Sequence, residues 1–312
     1  MENKLIIIGG GPAGMTAGIY TLRAGIKTTI IEKSFPGGNM LLTEKIDNYP
    51  GFPEGVSGIE LAEKMKQQYL KFGGEIVQGE VLDISLEGNR KIIRMVDGRE
   101  IKTDAIIIAS GSSRKKLGVE GEDEYTGKGV SFCTICDGAF FKGKKVAVIG
   151  GGNSALEEAM YLTRYAEHCF LIHRRDNFRA SLYLQEELKK YPAITTLLSR
   201  TVRKIEGDGN RVNVLVLENK NTGKIETIDV DGIFISVGQK PNVEFIDGKV
   251  EQNPFGYIIT DYKMQTSVKG IFACGDVIRK SLYQVVTACS EGAIAAYSAE
   301  IYLSSKDSSD II

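Results

Sequence analysis

The sequence predicts an α/β protein made of two Rossmann-like units, each a three-layer ββα arrangement, with the second unit inserted into the first. Three observations predict it. A glycine turn follows an apolar strand at the N-terminus, the same unit recurs near residue 150, and each copy ends on an apolar strand closing at glycine. A Cys-x-x-Cys pair, Cys133-Thr134-Ile135-Cys136, stands just ahead of the second copy.

Leu5-Ile6-Ile7-Ile8 is continuously apolar, the pattern of a parallel strand buried on both faces. It runs into Gly9-x-Gly11-x-x-Gly14, with Pro12 and Ala13 inside the turn, and then an apolar-periodic segment, 15–24, that reads as a helix. Thr28-Thr29-Ile30-Ile31 is the next strand; it ends at Glu32, with Lys33 beside it. Strand, glycine turn, helix, strand and terminal acid form a dinucleotide fingerprint. The glycines bring the backbone close to a pyrophosphate at the helix N-terminus, and the acid accepts from the ribose hydroxyls of an adenosine.

In the second copy Val146-Ala147-Val148-Ile149 is the strand and Gly150-Gly151-Gly152-Asn153-Ser154-Ala155 the turn. A helix is predicted over 156–165, with His168 and Cys169 at its end, and Phe170-Leu171-Ile172 is the following strand. Glu32 lies 23 positions after Gly9, and the residue 23 positions after Gly150 is His173. The acid is thus replaced by His173-Arg174-Arg175, with Arg179 just beyond. A carboxylate there would repel a 2′-phosphate, whereas guanidinium groups bind phosphate through charge-assisted hydrogen bonds. The first copy is therefore expected to take the unphosphorylated adenosine of FAD, and the second NADPH.

Ala105-Ile106-Ile107-Ile108-Ala109-Ser110-Gly111 and Gly232-Ile233-Phe234-Ile235-Ser236-Val237-Gly238 are the closing strands, and the turn cluster Gln239-Lys240-Pro241-Asn242 follows the second. The predicted segments are 1–113 for the first part of the FAD unit, 114–241 for the NADPH unit with the dithiol, and 242–312 for the rest of the FAD unit. The last segment carries Gly270-Ile271-Phe272-Ala273-Cys274-Gly275-Asp276, a strand ending on an acid, then a helix-like run over 284–303. Its polar end, 304–310, is expected to fray.

The 312 residues suit two domains of ordinary size. A net charge of −1 gives no electrostatic reason to expect nucleic acid or a membrane surface as partner. No apolar run approaches the roughly 18 residues of a membrane span. The N-terminus, Met1-Glu2-Asn3-Lys4, lacks the pattern of a signal peptide, so a cytoplasmic location is expected. Five cysteines, at 133, 136, 169, 274 and 289, are too few and too odd a set for a secreted disulfide scaffold. Zinc favours four ligands, and His168 and His173 lie on a different motif from the single Cys-x-x-Cys, so no metal is expected. A redox dithiol remains. Hydride donors and thiol pairs seldom react directly, which calls for a flavin between them.

Together these motifs resemble the low-molecular-weight thioredoxin reductases over essentially the whole chain: the turn at 9–14, Gly37-Gly38-Asn39, Cys133-x-x-Cys136-Asp137-Gly138, the turn at 150–155, His173-Arg174-Arg175-Asp176-x-x-Arg179-Ala180 and Phe272-Ala273-Cys274-Gly275-Asp276. The resemblance implies a homodimeric flavoenzyme holding FAD and NADPH. It implies that Gly37, Gly38, Asn39, Asn48, Ala109, Gly111, Gly275, Asp276, Gln284 and Val285 line the FAD site, with Asp276 on the flavin ribitol. It also implies that Cys136 meets the flavin, that Cys133 attacks the disulfide of a thioredoxin or thioredoxin-like protein, and that the inserted unit swings about the strands near 114 and 242. Three departures stand out: Asn39 where the family commonly has Gln, Tyr283 where it has Arg, and Cys274 in place of a smaller residue.

Two roles are open for Asp137 on its residues alone, proton donor and acceptor for the departing thiolate or cap of the following turn; the resemblance favours the first. Phe140-Phe141 is either core or a docking surface for a protein disulfide. Rival functions are the flavoprotein reductase of a peroxiredoxin system, whose members carry an extra N-terminal redox domain, a ferredoxin-fed reductase, which should lack the arginines, and a non-catalytic FAD redox sensor. Arg174, Arg175 and Arg179 argue against the sensor, which needs no phosphate-reading site.

Overall fold

The computed structural model describes residues 3–309 except 44, 89 and 247. Two compact units emerge; the first runs to Ser113 and resumes at Lys240, and the second is Arg114–Gln239.

The first unit opens with β1 (Asn3–Ile8), α1 (Pro12–Arg23) and β2 (Thr28–Glu32), followed by α2 (Gly58–Lys71), β3 (Glu75–Gln78), the hairpin β4 (Val81–Glu87) and β5 (Arg90–Met95), and β6 (Glu100–Ile108). The chain leaves on β7 (Ser112–Arg114). In the second unit α3 (Glu122–Tyr125), β8 (Val130–Ser131) and α4 (Thr134–Asp137) precede β9 (Lys145–Gly150), α5 (Asn153–Leu162) and β10 (His168–Ile172). Then come α6 (Leu182–Leu188), β11 (Ile194–Leu197), the meander β12 (Arg200–Gly207), β13 (Val212–Asn219) and β14 (Ile225–Asp229), and β15 (Gly232–Ser236). The return is β16 (Gln239–Pro241), which pairs with β7, and the first unit is completed by β17 (Ile271–Ala273) and α7 (Val285–Ser309).

The apolar run of β1 is explained by its neighbours. It is paired in parallel with β2 on one side and β6 on the other. Leu5 and Ile7 join a core with Met15, Ala17, Ala295 and Ala299, beneath the helices. Ile6 and Ile8 join a second core with Ile84, Ile93 and Ile258 on the opposite face. Successive strand residues point to opposite faces, so a central strand with both faces covered has no position for a polar residue.

The second unit repeats the plan. Its parallel sheet has the order β11-β10-β9-β15-β8. Val146 and Val148 pack with Leu156, Ala159 and Leu162 of α5. Ala147 and Ile149 face Val202, Ile205, Leu215 and Leu217 of the meander. Each unit is thus helix, parallel sheet and β layer, the three-layer α/β class read from the sequence.

Local details differ from the sequence expectations. His168 and Cys169 do not end a helix; they open β10, and Cys169 is fully buried, where desolvation pushes its thiol up to about 12. Where the polar composition of 304–310 points to fraying, α7 continues through Ser309, with Ala295, Ala296, Ala299 and Leu303 packed in the core; Asp310 lies outside the described residues.

Candidate active site

Cys133 and Cys136 are joined as a disulfide with their Cα atoms 5.3 Å apart. The extended backbone of Cys133 starts α4, and its Sγ accepts the N–H of Cys136 at 3.2 Å, so one sulfur also caps the turn that presents the other. Ser131, which sequence reasoning passed over, links the motif to Asp137. Its hydroxyl donates to Asp137 Oδ2 at 2.5 Å, and its oxygen accepts the N–H of Cys133 at 3.0 Å. The Asp137 carboxylate makes no cap to the following 3₁₀ turn. Of the two aromatics beyond, Phe141 is buried edge-on against Phe234 with ring centroids 5.3 Å apart, while Phe140 is 42 % exposed.

In the same unit, Gly150, Gly151 and Gly152 carry β9 into α5, and no side chain caps the helix start. A Cβ on Gly151 would stand 2.2 Å from His173 Nδ1, whereas one on Gly152 would meet open space. Backbone N–H groups at such a start form an anion site. Asn153 Oδ1 accepts the N–H of Ser181 at 2.9 Å, and both Asn153 and Ser154 are exposed. Arg174, Arg175 and Arg179 are all exposed and form no ion pair among the described residues.

His173 sits apart from these arginines in character. It is buried beneath the glycine turn, stacked on Phe178 at 5.7 Å, and its Nε2 has no hydrogen-bond partner. Burial, reinforced by Arg179, Arg175 and Arg174, lowers its pKa, so the ring is neutral at pH 7. A further group not foreseen from sequence is Glu158, on the buried side of α5, whose carboxyl is pushed up to about 7 by desolvation against a hydrogen bond from Ser236. Its position three residues after buried Ala155 was the available signal.

In the first unit the turn is built by close approach. A Cβ on Gly14 would lie 1.9 Å from the carbonyl oxygen of Gly9, so only glycine lets α1 start there. Gly11 precedes the helix without a side-chain cap, Pro12 takes its first turn, and Ala13 is buried behind them. Glu32 closes the loop: its carboxylate accepts from Gly10 N–H at 2.7 Å and from Ser34 N–H at 2.8 Å. Lys33 points away into an exposed pair with Glu80. Gly37, at φ +135°, donates its N–H to Gly10, and a Cβ on Gly38 would lie 3.5 Å from Gly11, so this segment covers the turn. Asn39 reaches Ser112 O at 3.0 Å, and Ala109, buried, pairs back to Ile8.

The C-terminal segment adds the remaining groups. Asn48 Nδ2 donates to Gln284 Oε1 at 2.9 Å, next to Val285 at the start of α7. Gly111 accepts the N–H of Asn242. Gly275 packs on Ala13, and Glu291 of α7 accepts its N–H at 2.9 Å. Lys280, with 8 % of its side chain exposed, bridges Glu291 at 2.9 Å and Asp276 at 3.0 Å. The contact to Asp276 is an ion pair off the hydrogen-bonding direction, so the buried Oδ1 has no hydrogen-bond donor in the chain. Lys280 also lies over Tyr283, whose ring is 5.9 Å from that of Tyr257. Cys274 is fully buried, and desolvation pushes its thiol well above the ordinary thiol range.

Among the described residues, a buried polar atom without a hydrogen bond therefore lies in each unit, His173 Nε2 under one glycine turn and Asp276 Oδ1 beside Gly275, which packs on Ala13 of the other. Both turns expose helix N-termini, which suits two dinucleotides. No cluster of three or more metal-ligating side chains occurs among the described residues, and no helix there is long and apolar enough to cross a membrane.

The sequence pattern of the pyridine nucleotide-disulphide oxidoreductases matches residues 3–292. The chain is 44 % identical over 299 residues to thioredoxin reductase of Bacillus subtilis (strain 168), covering 96 % of this chain and 94 % of that protein. Its fold resembles the crystal structure of thioredoxin reductase from Streptococcus pyogenes MGAS5005, with a TM-score of 0.94 and 41 % identity over 97 % of this chain and 99 % of that one. Thioredoxin reductase from Giardia duodenalis is similar at a TM-score of 0.92 and 35 % identity, covering 97 % of this chain and 100 % of that one.

Proposed function

The chain belongs to the pyridine nucleotide-disulphide oxidoreductase family, and we propose that it is an NADPH-dependent, FAD-containing reductase of thioredoxin. The observation that carries this reading is the Cys133–Cys136 disulfide on the same unit as a glycine turn flanked by three exposed arginines that form no ion pair among the described residues. FAD, when bound, supplies a carrier that accepts an electron pair from a nicotinamide and delivers it to a disulfide. Gly9, Gly11, Gly14, Glu32, Gly37, Gly38, Asn39 and Asp276 would hold it; Gly150, Gly152, Arg174, Arg175 and Arg179 would hold NADPH.

The chain's own chemistry is thiol–disulfide exchange. In the reduced pair the Cys133 thiolate attacks one sulfur of the substrate disulfide; a mixed disulfide forms and the other substrate sulfur leaves as a thiolate that takes a proton. Cys136 then attacks Cys133 Sγ, restoring the intrachain disulfide and releasing the substrate as a dithiol. Asp137, coupled to the Cys133 backbone through Ser131, is the group we assign to the proton that leaves and returns. Cys136→Ser tests the scheme: NADPH should still bleach the flavin absorbance in a single turnover, while steady-state thioredoxin reduction falls to background. Undiminished turnover in that variant would sink the assignment.

The chain is further proposed to act as a homodimer in the cytoplasm. Ile294, Tyr297 and Ile301 form an exposed apolar stripe at helical spacing on α7, which supports a second copy as its cover. Light scattering of the purified protein at the mass of one chain would refute the dimer.

A further inference from the structure

Residues 173–179 place three guanidinium groups and one carboxylate in seven positions. In an exposed loop, Asp176 beside Arg175 is a natural internal ion-pair partner, and such a pair would compete with any anionic ligand. The structure arranges otherwise. Asp176 Oδ1 accepts the hydroxyl of Ser199 and, at 3.3 Å, Nδ2 of Asn221. No ion pair joins it to Arg174, Arg175 or Arg179 among the described residues. The Ser199 hydrogen bond, ahead of that from Asn221, holds the Asp176 carboxyl below the ordinary carboxylate value.

Ser199 is itself unusual. It is 5 % exposed and has φ +55°, a left-handed backbone that residues with a Cβ hold only where the surroundings demand it. Its N–H donates to Arg175 O at 3.0 Å, and its carbonyl accepts the N–H of Lys220 at 2.8 Å. Arg200 N–H donates to His173 O at 3.0 Å. On the other side, Arg179 N–H donates to Gly151 O at 2.7 Å and Ser181 N–H to Asn153. The loop backbone is thus fastened both to the glycine turn and to the turn entering β12, and the guanidinium groups form no ion pair among the described residues.

We propose that Ser199 is a specificity-determining positioning residue: by engaging Asp176 and the carbonyl of Arg175, it keeps the three arginines available to a 2′-phosphomonoester on adenosine. This rests on the reading of the second unit as an NADPH site and adds how that preference is maintained. The ligand chemistry is a phosphate dianion on the ribose, recognised by guanidinium forks whose neighbouring carboxylate in the sequence is held by Ser199 and Asn221.

The test is calorimetric binding of 2′,5′-ADP and of ADP to the purified holoenzyme. Wild type should prefer 2′,5′-ADP. Ser199→Gly keeps the positive φ without strain and removes the hydroxymethyl group that engages Asp176. It should weaken 2′,5′-ADP by about tenfold and ADP by less than about twofold, because a freed carboxylate now competes for the arginines. Adding Asp176→Asn to Ser199→Gly should recover most of the loss, since the amide carries no charge. The inference is overturned by a Ser199→Gly variant that keeps the wild-type preference, or by a double variant as weak as the single one. Equal binding of the two ligands by wild type would instead overturn the NADPH reading beneath it.

Discussion

Replacing Lys280 by Met removes the cation that Asp276 and Glu291 share while keeping most of the buried stem. Lys280 and Glu291 have only 8 % and 14 % of their side chains exposed, and Asp276 has 26 %. In the variant, Glu291 retains the N–H of Gly275, and Asp276 Oδ1 has neither its ion pair nor a hydrogen bond from the chain. Deleting one partner of a buried pair costs about 3–5 kcal/mol. Partial exposure of Asp276 argues for the lower figure, about 3 kcal/mol. For a unit of this size that corresponds to a fall in Tm of about 6–12 °C.

The loss depends on pH in a defined direction. Burial already raises the Glu291 carboxyl above its ordinary value, with Lys280 opposing it. A raised carboxyl contributes stability that is present below the unfolded pKa and disappears as pH climbs through the folded one. Without Lys280 the folded value of Glu291 rises further, so the deficit should be large at about pH 8 and smaller near about pH 4.5, where the raised Glu291 carboxyl is mostly protonated. Melting the apoprotein by far-ultraviolet circular dichroism at both pH values measures it, and Lys280→Arg should retain most of the stability. An equal deficit at the two pH values would show that packing, and not charge, is what Lys280 provides, and would refute the reasoning.

Glu158→Gln should raise stability above pH 7. Its carboxyl is pushed up to about 7, so its favourable contribution is lost as pH rises from the ordinary value through 7; urea midpoints should favour the variant by on the order of 2 kcal/mol at about pH 8 and converge near about pH 5, and a pH-independent difference would count against the burial argument. Gly18→Ala places a Cβ 2.5 Å from the ring of fully buried Tyr69, whose hydroxyl donates to Thr28 O and Glu75 O. It should cost about 1–3 kcal/mol, and a wild-type Tm would contradict the packing described. Gly151→Ala drives a Cβ into His173 and should abolish measurable 2′,5′-ADP binding while the purified protein stays yellow; unaltered affinity would mean that the turn yields without cost.

What could be read from the chain alone was what it writes contiguously. Each nucleotide half-unit is encoded within about 25 residues as strand, turn and helix, signals that depend on nearest neighbours along the chain. The Cys-x-x-Cys pair is legible for the same reason. The β layers were not. Strands β12 and β13 are half-buried and their pairing is interrupted by register shifts near Val202 and Glu206, so no clean alternation marks them. The groups that tune the sites were also hidden, because their partners are remote in sequence: Glu291 with Gly275, Ser199 with Asp176, and Glu158 with Ser236. His173 matched the offset of the ribose acid, yet the fold uses it as a neutral support under the glycine turn, since a ring of that size fills the space next to Gly151.

The interrupted layout of the first unit has a consequence for biosynthesis. Strand β6 needs β17 along Ile106–Ile108, and α1 needs α7, but both partners emerge only after the whole second unit. A ribosome adding about 5–20 residues per second takes roughly 6–25 s to make that intervening stretch. Throughout that interval the nascent first unit displays an open sheet edge and an uncovered oily helix. The inserted module, continuous in sequence, can complete itself first. Newly made chains should therefore lean on chaperones for the bipartite unit, and truncation before α7 should give aggregates in which the inserted module alone resists protease.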